Sequence, residues 1–186
     1  MGRAVGNEEA AVEVNESLRT LRATRRFADR RIPDPLVERW LESARWCGSS
    51  RNSQPWRFLV VRDPQLRRQL STLGDDASHL ASASLVVALA SVPGPYPFST
   101  TFDLGRVAQS LMLAAHADGV GSCIAVFEPA EKVSVARDLL EVPSELTLDL
   151  AIGFGYPQQV PTQPRDPAGR LELELLVREV PPSQES

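Results

Sequence analysis

Apolar positions along the chain change their spacing several times, and each change marks a structural element. Leu36, Val37, Trp40, Leu41 and Ala44 fall on one stripe of a 3.6-residue repeat, which predicts an amphipathic helix. The run Pro33-Asp34-Pro35 predicts its start, with Asp34 as N-cap and Pro35 in the first turn, and Gly48 predicts its end. Trp56 to Val61 reads as a buried strand, and Asp63-Pro64 opens a short helix that Gly74 closes. Ala83 to Val92 reads as the next strand. Prolines at 93, 95 and 97 cannot continue it, because each lacks a ladder donor, so 93–97 is expected to be a loop. Phe102 to Asp118 carries the longest helical pattern and is apolar nearly all round, which suits a core helix or a dimer seam; Gly119 ends it. Ser122 to Phe127 predicts a strand, Pro129 to Leu140 a helix and Leu146 to Phe154 a further strand.

The ends of the chain are less regular. Residues 8–21 predict a polar first helix, and Gly155 to Gly169, rich in Pro, Gln and Arg, predicts an extended arm. Leucines 171, 173 and 175 alternate with glutamates, so this stretch is expected to be an edge strand added to its own sheet or to a partner's. Residues 1–14 and 181–186 are expected to be flexible, leaving 15–180 as one domain. Helices interspersed with strands point to an α+β or α/β layered architecture.

Composition narrows the classes. A chain of 186 residues with 42% hydrophobic content can bury one substantial core. Its 24 acidic against 20 basic residues argue against nucleic acid as a partner, which requires a basic face. No signal-peptide pattern opens the sequence and Leu85 to Ala90, the longest apolar stretch, is too short to span a bilayer, so a soluble cytoplasmic protein without membrane contact is expected. Cys47 and Cys123 lie in apolar contexts that suit free buried thiols and have no metal-ligand spacing. His79 and His116 lack triad or metal partners, and structural roles are expected for both. Neither a G-x-S-x-G elbow nor a Rossmann fingerprint is present, which sets aside a hydrolase and a classical dinucleotide fold.

Three constellations carry the candidate chemistry. The loop Ser49-Ser50-Arg51-Asn52-Ser53-Gln54-Pro55-Trp56, followed by Arg57 and Phe58, offers hydroxyl and amide groups suited to a polar heteroaromatic ring. It resembles the S-S-x-N-x-Q-P-W-x-F signature of nitroreductase-like flavoproteins. The run Arg22-Ala23-Thr24-Arg25-Arg26-Phe27 supplies fixed positive charge suited to a phosphate, and is similar to the family's R-R-S-x-R-x-F element. Aligned on Arg25 and Phe27, it has Leu21 and Ala23 where the family has its first arginine and its serine. The stretch from Asp103 through Gly105 and Gln109 to Gly121-Ser122-Cys123 resembles the family's long helix and following turn. Gly155 to Pro157 and the Arg170 to Leu173 stretch match the family's last turn and R-x-x-L element.

The resemblance covers residues 17–177 in the expected order. It implies a three-layer α-β-α fold of α+β class, with a central, mainly antiparallel sheet and a C-terminal arm reaching the partner subunit of a homodimer. It also implies bound FMN, held by Arg22, Ala23, Thr24, Arg25, Ser49, Ser50, Asn52, Gln109, Ile124, Ala125, Val126 and Arg170, with Arg165 as an alternative phosphate ligand. Of these, Ile124 to Val126 correspond to the backbone near flavin N5, here one residue shorter and with Val126 at a position commonly glycine, and Ser49, Ser50 and Asn52 reach the ring across the dimer interface. NADH or NADPH is implied as hydride donor and a quinone- or nitroarene-type small molecule as acceptor, in a ping-pong scheme that assigns no catalytic side chain and no metal. The loop around Tyr96 and Phe98 would help shape the acceptor pocket. Two other readings stay open: a protein that stores or sequesters FMN, and a flavin-dependent dehydrogenase of a biosynthetic intermediate.

Overall fold

The computed structural model describes residues 14–159 and 170–180. The expected flexible ends, apart from Val14, and the arm residues 160–169, Arg165 among them, lie outside the described residues. The chain order is α1 (Val14–Thr20), α2 (Asp34–Arg45), a 3-10 turn (Ser50–Asn52), β1 (Trp56–Val61), α3 (Pro64–Leu70), a second 3-10 turn (Ser78–Ala81), β2 (Leu85–Ser91), α4 (Pro97–Ala117), β3 (Gly121–Ala125), α5 (Ala130–Leu139), β4 (Thr147–Gly155) and α6 (Leu173–Leu176).

The four strands form one sheet in the order β1-β2-β4-β3, antiparallel at every pairing. All seven residues of β2 are buried, and the pleat divides them between two cores. Leu85, Val87 and Leu89 face one way, against Val37, Trp40 and Ala44 of α2 and Leu104, Val107 and Leu111 of α4. Val86 and Ala88 face the other way, against Leu70, Leu73, Leu80, Phe127 and Ala136. A strand buried on both faces must be apolar at every position, which is why no alternation was visible in it. Helices on both faces give the three-layer α-β-α architecture. The nearest helices are pinned together where Arg39 and the Trp40 indole both donate to the Asp118 carboxylate at the end of α4, each at 2.5 Å.

Several boundaries differ from the sequence expectation. Asp34 is inside α2 and does not cap it; Pro33 occupies the N-cap, and the Asp34 carboxylate pairs instead with Arg31 at 2.8 Å and Arg62 at 2.5 Å. Asp63 does cap α3, accepting from the Leu66 amide at 2.6 Å. That helix ends at Leu70, short of Gly74. The helix expected from Phe102 begins five residues earlier, because Pro97 sits in the first turn, where a missing N–H costs nothing. Strand β3 runs Gly121–Ala125, shorter than Ser122 to Phe127. Residues 171–175 form no strand: the Leu175 amide bonds the Glu172 carbonyl and the Val177 amide the Leu173 carbonyl, closing the short helix α6. No ladder partner exists for them among the described residues, and without one an isolated strand leaves its backbone unpaired. Cys123 is buried as expected, whereas Cys47 is only partly so.

Candidate functional site

Among the described residues, the loop ahead of β1 holds three of the four non-glycine residues with positive φ. Arg51, Asn52 and Gln54 have φ of 54°, 54° and 45°, a left-handed region that non-glycine residues rarely occupy. One side chain from α4 and one from the loop itself hold it there. The Ser50 amide donates to the Asp103 carboxylate at 2.8 Å, and Asp103 is 2% exposed within α4. The Gln54 amide donates to the Ser49 hydroxyl at 2.9 Å. Such strain persists only where surrounding contacts over-determine it, and it concentrates at functional sites. Asp103 opens the Asp103–Gln109 motif, but no local feature of the sequence signals this role.

A groove of about 650 Å³ runs along the outer face of α4 and reaches Gly48, just ahead of the loop; Cys47, Phe102, Gly105, Arg106 and Gln109 are among its lining. Gln109 is exposed there. Leu104, Val107, Ala108, Leu111 and Ala115 of this helix face the core, while Phe102, 59% exposed, and its neighbours face outward.

The cationic run lies elsewhere. Ala23 forms a parallel bridge to Ser122 on the outer edge of β3, and the Thr24 amide donates to the Ser122 carbonyl at 2.8 Å. The approach is close enough that a Cβ on Gly121 would stand 2.5 Å from the Thr24 hydroxyl and 2.7 Å from its Cβ, so only glycine fits there. Arg25 and Arg26 are exposed beside this edge, whereas the Arg22 guanidinium turns back onto the Arg19 and Leu21 carbonyls at 2.6 and 2.7 Å, capping α1. Further along the strand, Ile124 and Val126 are 40% and 49% exposed, and Ala125 is buried. Arg170 is exposed.

The Ser49–Asn52 loop leads into edge strand β1, while the cationic run lies on the opposite edge, at β3. Trp56 lies opposite Ser91 and Thr147, at one end of the strands; Gly121 lies opposite Gly155, at the other. Three strand spacings and most of a strand's length separate them, on the order of 20 Å. Within one chain the two elements therefore stand at opposite corners of the sheet.

Beneath β3, His79 is 4% exposed, its ring nitrogens 2.9 Å from the Asp76 carbonyl and 3.0 Å from the Cys123 carbonyl. Burial pushes its pKa below the usual histidine value; the two carbonyls oppose this, and Arg25 adds to it. The native state therefore resists a proton that the unfolded chain accepts near pH 6.5. Stability attributable to His79 is complete above that pH and declines as pH falls through it. In urea titrations at pH 7.5 and 5.5, the wild-type midpoint should fall by more than that of His79→Gln; equal losses would remove His79 from the explanation. His116, on α4, bonds the Thr20 hydroxyl at 2.9 Å and ties α1 to the core helix.

Comparison with known proteins identifies the fold. The nitroreductase family pattern matches residues 18–81, which include the cationic run and the whole strained loop. A protein of Archaeoglobus fulgidus, named as a provisional NADH dehydrogenase/NAD(P)H nitroreductase, is 30% identical over 143 residues, covering 75% of this chain and 82% of its own. The crystal structure of a similarly named protein from Bacteroides thetaiotaomicron superposes with a TM-score of 0.78 at 20% identity, over 89% of this chain and 95% of that one. The NADPH:FMN oxidoreductase of Vibrio harveyi, solved with NAD+, gives 0.76 at 19% identity, over 92% and 79%. With that coverage at that identity, and the fold and loop in agreement, the chain belongs to the nitroreductase family of oxidoreductases.

Proposed function

We propose that the protein is an FMN-dependent NAD(P)H oxidoreductase acting on quinone- or nitroarene-type acceptors, built as a homodimer whose cofactor site draws the Ser49–Asn52 loop from one chain and the cationic run from the other. The observation that carries this reading is the intact Ser49 to Trp56 loop, held in left-handed backbone by buried Asp103. The names of the relatives from Archaeoglobus fulgidus and Vibrio harveyi point the same way.

The residues fit the cofactor's two ends. The hydroxyls of Ser49 and Ser50 and the Asn52 amide suit the hydrogen-bonding edge of a flavin ring. Exposed Arg25, with Arg170, suits a phosphate, while Arg22 is already engaged at the end of α1 and contributes charge at longer range. When bound, FMN supplies the centre that takes hydride from NAD(P)H and returns electrons to an acceptor. Ile124 and Val126, 40% and 49% exposed, leave this stretch of chain open to ring contacts, and Gln109 lines an open groove on the outer face of α4. No side chain is assigned a proton-transfer role.

Homodimerisation has independent support. Leu173, Leu175 and Leu176 are 67%, 72% and 65% exposed on a four-residue helix that is too short to persist alone. These leucines, and Phe98 and Phe102 on the outward face of α4, are exposed apolar side chains that a second subunit would cover. Among the described residues no helix is long and apolar enough to cross a membrane, and a cytoplasmic site of action is part of the proposal.

The test is a visible spectrum of purified protein after FMN addition and desalting, followed by anaerobic NADH or NADPH. Retained flavin absorbance that bleaches is expected. Absence of retained flavin would overturn the cofactor assignment; flavin retained but not bleached by either donor would favour storage, which the Leu21 and Ala23 replacements make the main competitor.

A further inference from the structure

Between the strained loop and the proline-rich segment lies a second cavity, of about 210 Å³, whose walls include Arg51, Pro55, Pro93, Tyr96, Ser99 and Thr100. No aspartate or glutamate lines it. The Arg51 guanidinium lies over the Tyr96 ring, 4.5 Å from its centroid, and makes no ion pair among the described residues. By contrast Arg31, Arg39, Arg45, Arg62 and Arg106 each have a carboxylate within 4 Å.

Arginine is also a poor choice for its position. With φ 54° and ψ 23°, Arg51 occupies backbone that suits glycine or asparagine. Turn chemistry alone does not explain it, so a requirement for the side chain is the simpler account. The ring contact holds the guanidinium at the cavity wall without a carboxylate partner among the described residues, and a guanidinium beside an aromatic ring suits carboxylates and phosphates. The cavity is smaller than the roughly 300 Å³ at which pockets begin to enclose a whole ligand, so it takes one end of a molecule: a ring bearing an acidic group.

We propose that Arg51 and Tyr96 form a subsite for the anionic end of the enzyme's redox partner, Tyr96 flanking the planar portion and Arg51 pairing with its carboxylate, sulfonate or phosphate. The inference rests on the flavin-reductase reading, since the loop carrying Arg51 also carries Ser50 and Asn52. It adds a charge preference to that site. Either the acceptor or the phosphates of the nicotinamide donor can supply the anion.

The test titrates flavin-loaded protein by calorimetry, without donor, using 4-nitrobenzoate and uncharged 4-nitrobenzamide as probes, for wild type, Arg51→Gln, Arg51→Lys and Tyr96→Leu. Wild type should bind the benzoate at least tenfold more tightly than the amide. Arg51→Gln should abolish that preference while leaving amide affinity within twofold, Arg51→Lys should restore part of it, and Tyr96→Leu should weaken both probes. Anaerobic bleaching by NADH and NADPH is then timed in the same proteins. Slower bleaching in Arg51→Gln, with benzoate binding unchanged, assigns the subsite to the donor. Unchanged benzoate preference together with unchanged bleaching overturns the proposal even when flavin is retained. Protein that retains no flavin yet keeps an Arg51-dependent preference for benzoate sinks the reductase reading and leaves the anion subsite standing.

Discussion

Two variants that are each inactive should restore about one quarter of wild-type activity when their subunits are mixed. Arg25→Glu reverses the charge proposed to meet the phosphate, and Ser50→Leu fills the loop proposed to meet the ring while keeping the amide that Asp103 holds. Losing a charge-assisted contact of this kind costs about 2–3 kcal/mol, or roughly 30- to 160-fold, so each variant alone should be nearly silent. If every site takes its loop from one chain and its cationic run from the other, a mixed dimer contains one site with both defects and one with neither. Random mixing puts half the dimers in that class, hence the quarter. The measurement is NAD(P)H oxidation with a quinone, after co-expression of differently tagged chains. Activity no higher than that of the single variants would mean that both elements serve one site from one chain, against the opposite-edge placement of β1 and β3.

Gly74→Ala should be the most damaging small substitution in the second core. A Cβ there collides with the backbone carbonyl of Val126 and also approaches the Ala77 Cβ to 3.4 Å. Neither neighbour can move freely: the Glu128 amide bonds the Leu73 carbonyl at 3.0 Å, and the Ala77 amide bonds Gly74's own carbonyl at 3.2 Å. Overpacking of this kind costs about 2 kcal/mol, which lowers Tm by roughly 4–8 °C in a chain of this size. The displaced backbone is the 124–126 stretch assigned to the cofactor, so FMN affinity should fall by about tenfold together with the melting temperature. Calorimetric melting and a flavin titration decide it; an unchanged Tm would show that the 126 turn yields at no cost.

The layered fold was legible because the elements carry strong local patterns. The Leu36 to Ala44 stripe and the apolar run of β2 each have one comfortable solution in a two-faced core. Errors arose where a residue's usual meaning is overridden. Pro97 reads as a breaker but starts α4, and Asp34 reads as a cap but serves Arg31 and Arg62. The 171–175 alternation requires a neighbouring strand, which sequence alone does not supply.

The candidate site divides in the same way. Identities in the Ser49 to Trp56 loop and the arginine run stand in plain view. The left-handed backbone at Arg51 and Gln54 does not, because no glycine announces it. The Ser50–Asp103 contact joins residues 53 apart, and no local pattern reports such a distance. The stacking of Arg51 on Tyr96 is equally non-local.

Placing the loop and the cationic run on opposite edges of the sheet also couples two equilibria. In a site shared between chains, cofactor binding and subunit association form one thermodynamic cycle. Whatever factor FMN adds to the affinity between subunits, association adds the same factor to the affinity for FMN. Dilution would then act as a cofactor-releasing condition, and a shortage of flavin as a monomerising one, so the amount of working enzyme would depend on the product of chain and flavin concentrations and not on either alone.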